Sequence, residues 1–221
     1  MGETSPQNVV ADTVMTQDLR VFVIDDDPLV VDTLGVLLRA NGFPVEGFTS
    51  PDRFLERPPD VGLACLLLDL RLGDRSGIDV QKELRRKGFT LPIVFLSGQG
   101  DVPSTARAMR DGALDFLVKP VDEPELLEAL TRARTKALTQ REEEDARRDA
   151  TERLARLTRR EREVCDLIAR GLLNKQIAFE LGASENTVKV HRARVMHKLR
   201  VDSVAALVQI VSGHRPPSSS S

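Results

Sequence analysis

Leu63-Ala64-Cys65-Leu66-Leu67-Leu68-Asp69 is an unbroken apolar run that stops at a carboxylate. It is far shorter than the ~20 residues of a membrane span. A strand over Leu63–Leu68, buried deep in a sheet, fits it best. Working outward, further strands are expected at Val21–Ile24, Val45–Phe48, Ile93–Leu96 and Phe116–Val118. Helical patterns fall between them at Pro28–Ala40, Pro51–Glu56, Ile78–Arg86 and Val102–Asp111, with one more starting near Glu123. Parallel strands need crossover connections, so this alternation predicts an α/β fold, a five-stranded parallel doubly wound sheet with helices on both faces. Ligands of such sheets bind beyond the carboxyl ends of the strands, which is the edge that Asp69 reaches.

The chain has 221 residues, 30% charged and 41% hydrophobic, enough for two compact domains. No signal peptide or membrane span is legible, and a cytoplasmic protein is expected. Cys65 and Cys165 lie in apolar surroundings and read as buried thiols rather than a disulfide or metal site. The net charge of −2 hides a division. Residues 18–122 carry 17 acids and 13 Lys/Arg, whereas residues 156–221 carry 12 Lys/Arg and 6 acids. A basic rear of net +6 points to a polyanionic partner.

Between these halves an apolar helical pattern (Leu126, Leu127, Leu130, Ala133, Ala137, Leu138) runs into a charged stretch without large apolar residues. Glu143→Arg147, Glu144→Arg148 and Asp149→Arg153 are i,i+4 pairs in the favourable direction, each contributing about 0.2–0.5 kcal/mol. One long helix joining the domains is the reading adopted, with a flexible charged linker as the alternative. The rear holds four helical patterns, Arg159–Arg170, Lys175–Leu181, Glu185–Leu199 and Ser203–Val211, punctuated by Gly171 and Gly182. The expected organisation is a disordered segment 1–18, an α/β domain 19–123, a helical linker 124–155, a small all-α four-helix domain 156–213 and a disordered tail 214–221.

Polar residues stand where apolar runs stop: Asp25, Asp26 and Asp27 after VFVI, Asp69 after LACLLL, Ser97 after IVFL, and Lys119-Pro120 after DFLV. Parallel strands bring them to one sheet edge, and carboxylates crowded there need a cation. Mg²⁺ suits two or three carboxylates with a backbone carbonyl. Asp69 is the candidate nucleophile toward phosphorus, and Lys119 and the Ser97 hydroxyl are candidates to bind the phosphoryl oxygens. A single Asp of this kind is usually a loop cap, so the case rests on four strand ends agreeing.

These residues, with the D-x-R-x-x-x-x-x-G run from Asp69 to Gly77, resemble the receiver domain of two-component response regulators. GDVPSTARAMRDGALDFLVKP is similar to the NarL/FixJ group in particular. The resemblance implies a sensor histidine kinase as partner, Asp69 as phosphoacceptor, and Mg²⁺ held by Asp25, Asp26, Asp69 and the backbone carbonyl of Arg71. It also implies that Phe116 packs into the space vacated by Ser97, that the helix Val102–Asp111 and the strand at Phe116 then form a dimerisation face, and that Asp27 faces solvent. Two positions depart from the commonest pattern: Gly73, where many receivers have Pro, and Phe116, where many have Tyr.

In the rear, Ser184 can cap a helix whose Val188, Val195 and Leu199 have core spacing, leaving Lys189, Arg192, Arg194 and Lys198 to point outward at phosphates or guanine edges. LTRRE with Glu161, the Gly171 turn, NKQIA (Asn174–Ala178) and S-x-x-TVK-x-H (Ser184–His191) resemble the LuxR-type helix-turn-helix. Double-stranded DNA is the implied partner, through a two-fold site bound by a homodimer. Lys189 and Val190 are the implied base readers, Ala193 stands at a position that is often basic, and Lys175, Asn186 and Thr187 complete the expected contact set with Ser184. The function so read is phosphorylation-controlled transcription regulation rather than enzymatic turnover. The rivals are a phosphatase with an aspartyl nucleophile, which needs a further acid/base residue, and a regulator with an apolar small-ligand pocket.

Overall fold

The computed structural model describes residues 18–57, 61–98 and 107–213. It begins with β1 (Arg20–Ile24), α1 (Pro28–Ala40), β2 (Val45–Phe48), α2 (Pro51–Leu55) and β3 (Ala64–Asp69). The short strands β4 (Arg71–Leu72) and β5 (Arg75–Ser76) precede α3 (Gly77–Arg86), β6 (Ile93–Ser97) and β7 (Asp115–Val118). The helices α4 (Glu123–Ala155), α5 (Arg159–Ala169), α6 (Asn174–Glu180), α7 (Glu185–Leu199) and α8 (Val204–Gly213) complete the order. Of the expected helix Val102–Asp111, residues 107–110 are helical and residues 102–106 lie outside the described residues, as do 1–17 and 214–221.

The five long strands pair in the order β2-β1-β3-β6-β7, all parallel. Every residue of β3 is buried, which is why its sequence shows no polar alternation. Leu66 and Leu68 join Phe22, Ile24 and Phe95 on one face, under Phe54 of α2 and Ile78 and Leu84 of α3. Cys65 and Leu67 join Val21, Val23, Val94 and Leu96 on the other, under Leu34 and Leu38 of α1 and Leu126 and Leu130 of α4. Each such Leu, Ile or Phe gains about 1.5–3 kcal/mol on burial, set against the entropy of ordering the chain.

Element ends differ from the sequence expectation by a residue or two, in keeping with how helix and strand termini fray. The shifts at the sheet edge matter most, because Asp69 and Ser97 lie inside β3 and β6 as their last residues. The antiparallel hairpin of β4 and β5 was not expected. Arg71 pairs with Ser76 and Leu72 with Arg75, and Gly73 takes the left-handed φ of 59° that the two-residue turn requires. The hairpin hides in the sequence because two-residue strands leave no periodicity to read.

Contacts divide the chain into two compact units that part between Arg141 and Glu142. α4 is a single helix of 33 residues, so the charged stretch is helical. Asp149 pairs with Arg153 along it, and the hydroxyls of Thr131, Thr135, Thr139 and Thr151 each donate to the carbonyl four residues back. In the second unit Thr158 and Glu161 form a reciprocal capping box at the start of α5. Its core joins Val164 and Ile168 of α5, Ile177 of α6, Val188, Val195 and Leu199 of α7, and Leu207 of α8. Gly171 and Gly182 adopt φ of 85° and 58° where α5 and α6 end, as their sequence positions suggested.

Candidate functional site

The strand order reverses between β1 and β3, and the carboxyl ends of those strands carry Asp25 and Asp69. Asp25 is fully buried and Asp69 is 7% exposed. The Asp27 amide donates to Asp25 Oδ1 at 3.1 Å, which fixes that carboxylate. Lys119, one residue past β7, places Nζ 2.5 Å from Asp25 Oδ2 and 3.2 Å from Asp69 Oδ2. Asp26 is exposed and accepts from the Gly73 amide at 3.0 Å. Asp25, Asp26 and Asp69 each offer an oxygen within 4.8 Å of the others. Asp27 instead caps α1, accepting from the Leu29 amide at 2.9 Å in an exposed position.

Electrostatics follow from this packing. Burial pushes the Asp69 carboxyl above the usual carboxylate range; the Lys119 charge opposes the rise and the Asp25 charge adds to it. Burial disfavours the Lys119 ammonium, but its hydrogen bond to Asp25 and the charges of Asp69 and Asp25 outweigh that and hold its pKa above the ordinary lysine value. The crevice is therefore a pair of buried acids bridged by a firmly protonated lysine. Three hard oxygen donors in so small a space match what Mg²⁺ requires. The two thiols take no part, since burial pushes Cys65 to about 12 and Cys165 to about 11.

Ser97 is 3% exposed at the end of β6, and its hydroxyl donates to the Gly98 carbonyl at 3.0 Å rather than to a carboxylate. Its carbonyl accepts from the Lys119 amide at 2.7 Å, which ties the two strand ends together. Phe116 lies opposite Phe95 in the register of β7 and β6 and is 39% exposed. Arg71 opens β4, and a hydrogen bond from its backbone to Asp69 favours the charged carboxylate. Gly77 passes so close that a Cβ there would sit 2.2 Å from the Asp69 carbonyl oxygen, which accounts for glycine at the end of the D-x-R-x-x-x-x-x-G run.

In the second unit Ser184 caps α7 by accepting from the Thr187 amide at 3.1 Å. Lys175, Ser184, Asn186, Thr187, Lys189, Val190 and Arg194 are all exposed, whereas Val188, Val195 and Leu199 are buried, as their spacing indicated. Arg192 is half-buried and donates to Asn174 Oδ1 at 3.1 Å. Lys198 departs from the outward orientation expected of it. Its ammonium lies 2.6 Å from Glu161 Oε2, and Glu161 is 3% exposed. Hydrogen bonds from Lys198 and the Thr158 amide hold the Glu161 carboxyl down at about 2. The TRRE capping pattern identifies Glu161 in the sequence, but nothing local announces Asn174 beside Arg192, 18 residues on.

The family model of the response regulator receiver domain matches residues 21–131, and that of the bacterial regulatory proteins of the luxR family matches residues 155–211. The chain is a response regulator. TodT of Pseudomonas putida, a response regulator protein, is 41% identical over 190 residues, 86% of this chain and 84% of that protein. The transcriptional regulatory protein FixJ of Azorhizobium caulinodans is 38% identical over 196 residues, 89% of this chain and 93% of that protein. The solved response regulator StyR aligns with a TM-score of 0.71 at 43% identity, covering 89% of this chain and all of that one. This response regulator belongs to the NarL/FixJ group, with a receiver domain followed by a luxR-family DNA-binding domain. Among its described residues no helix is long and apolar enough to cross a membrane.

Proposed function

We propose that this response regulator takes a phosphoryl group from a phosphohistidine of a sensor histidine kinase onto Asp69, and that the modified protein dimerises and binds a two-fold promoter site in the cytoplasm. The observation that carries this reading is the crevice itself, in which Lys119 bridges two buried carboxylates and a third stands beside them. Asp25, Asp26, Asp69 and the Arg71 carbonyl would hold Mg²⁺, which when bound supplies positive charge against the crowded oxygens. An Asp69 oxygen forms the new bond to phosphorus as the bond to the histidine nitrogen breaks, leaving an acyl phosphate and a free imidazole. Lys119 stays protonated through this step and takes one phosphoryl oxygen, and the Ser97 hydroxyl, freed from the Gly98 carbonyl, takes another.

The transmitted change is a rotation of Phe116 toward the space Ser97 leaves, which reshapes the exposed edge of β7. Lys175, Ser184, Asn186, Thr187, Lys189, Val190, Arg192 and Arg194 supply the DNA contacts, with Lys189 and Val190 at base edges. Lys198 was expected in this set; its pairing with Glu161 gives it a bracing role instead. Acetyl phosphate with Mg²⁺ tests the first half: intact protein should gain one phosphoryl mass that is absent from the Asp69→Asn variant. Mass retained by that variant rules out Asp69 as the acceptor. Sedimentation of beryllofluoride-treated protein tests the second half, and a monomer with and without treatment rules out dimerisation as the output.

A further inference from the structure

We propose that the Gly73 main-chain N–H is a positioning group for the metal site: it holds Asp26, the one exposed carboxylate of the three, in the geometry that binds the cation. The inference rests on the reading of the acidic crevice as a divalent-metal site and concerns how this chain's own residues prepare it. Asp25 is buried and fixed by the Asp27 amide and Lys119, and Asp69 is buried beside the same ammonium. Asp26 has no such packing, and what reaches it is the Gly73 amide, 3.0 Å from Oδ2. That bond occupies one oxygen and leaves Oδ1 available to a cation.

The donor is itself well supported. Gly73 sits at the turn of the hairpin, in the left-handed region at φ 59°. Leu72 beside it is buried, and the Arg75 guanidinium clamps the second strand to Asp52 at 2.6 Å and Glu83 at 2.7 Å. A proline here, as many receivers have, carries no N–H and cannot take a positive φ. The departure noted in the sequence thus exchanges a rigid ring for a hydrogen bond that runs from the loop after Asp69 to the acidic cluster after β1. Groups that orient a metal ligand from outside the coordination sphere commonly change affinity by about 10–100-fold.

The test is a double-mutant cycle on the full chain with Mn²⁺ as the probe, its free concentration read by electron paramagnetic resonance. Gly73→Pro is expected to weaken Mn²⁺ binding by about tenfold. In an Asp26→Ala background the same change should do nothing further, because the carboxylate it acts through is gone. Gly73→Ala keeps the N–H while straining the turn, and should stay within about threefold of the parent once folding is confirmed by circular dichroism. Amide exchange gives a second readout free of the proline's backbone conflict: the Gly73 N–H should be protected in the parent and lose protection in Asp26→Ala. Parental affinity in Gly73→Pro, an equal loss in the Asp26→Ala background, or unchanged protection overturns the proposal while leaving the metal site standing. A parent that binds no Mn²⁺ overturns the metal site and the proposal together.

Discussion

Lys198 Nζ and Glu161 Oε2 stand 2.6 Å apart, linking α7 to the first turn of α5 through a carboxylate that is almost fully buried. A basic residue of α7 is thereby paired with a buried acid of its own unit rather than left free at the surface. Lys198→Ala should destabilise the second unit by about 1.5–3 kcal/mol, the usual worth of a hydrogen bond to a charged group. Its effect on DNA affinity, measured on folded protein at several salt concentrations, should leave the salt slope unchanged. A slope lower by about 0.9 would mean that Lys198 contacts a phosphate.

Because the Glu161 pKa is depressed to about 2, its contribution to stability is complete above the unfolded carboxylate value of about 4.3. The contribution is lost as pH falls from there toward 2. Thermal unfolding of the second unit should therefore show a falling melting temperature across this acidic window. In Glu161→Gln the fall should be shallower, starting from a lower melting temperature at neutral pH.

Arg194 is exposed on α7, about a third of a turn around the helix from the Val188–Val195 core seam. Arg194→Ala should lower the slope of log affinity against log salt by about 0.9 on duplex DNA of arbitrary sequence, with no loss of stability. Fluorescence anisotropy from about 50 to 200 mM salt reads both slopes. Equal slopes for parent and variant would remove Arg194 from the contact set.

Asp69 carries the opposite sign to Glu161. Its carboxyl is raised in the folded chain by burial, so the protonated form is favoured there and that stability is lost as pH rises through the folded value. At neutral pH without metal, Asp69→Asn should melt a few degrees higher than the parent. Added Mg²⁺ should raise the parent and do little for the variant, by linkage of binding to folding. A variant that melts lower would show that the Lys119 pairing outweighs the cost of the buried charge.

Gly77→Ala should cost about 2–3 kcal/mol or more, since the new methyl would meet the Asp69 carbonyl at 2.2 Å and force β3 and α3 apart. Denaturant unfolding reads the loss. Acetyl phosphate labelling should fall with it, because the same shift moves Asp69, the proposed acceptor.

The strands were legible because LACLLLD and IVFLS are short apolar runs that end in polar side chains, a pattern that dictates both burial and the edge at which chemistry gathers. Val188, Val195 and Leu199 were legible for the corresponding helical reason, a repeat that returns to one face. The hairpin at residues 71–76 was not, since two-residue strands held by arginine clamps carry no periodic signal. Lys198 misled because helical spacing says which way a side chain starts, whereas its four methylenes let the ammonium reach back to a buried acid. Asn174 beside Arg192 and Gly73 beside Asp26 join residues distant in sequence, and only the folded chain brings them together.

The second unit closes its core with residues that begin at Leu154, and the receiver closes its last seam on α4 at Ala137. The sixteen intervening residues contribute no member to either cluster. A gene recombined within that stretch would keep both apolar clusters whole, so either unit could be joined to a new partner without repacking its interior.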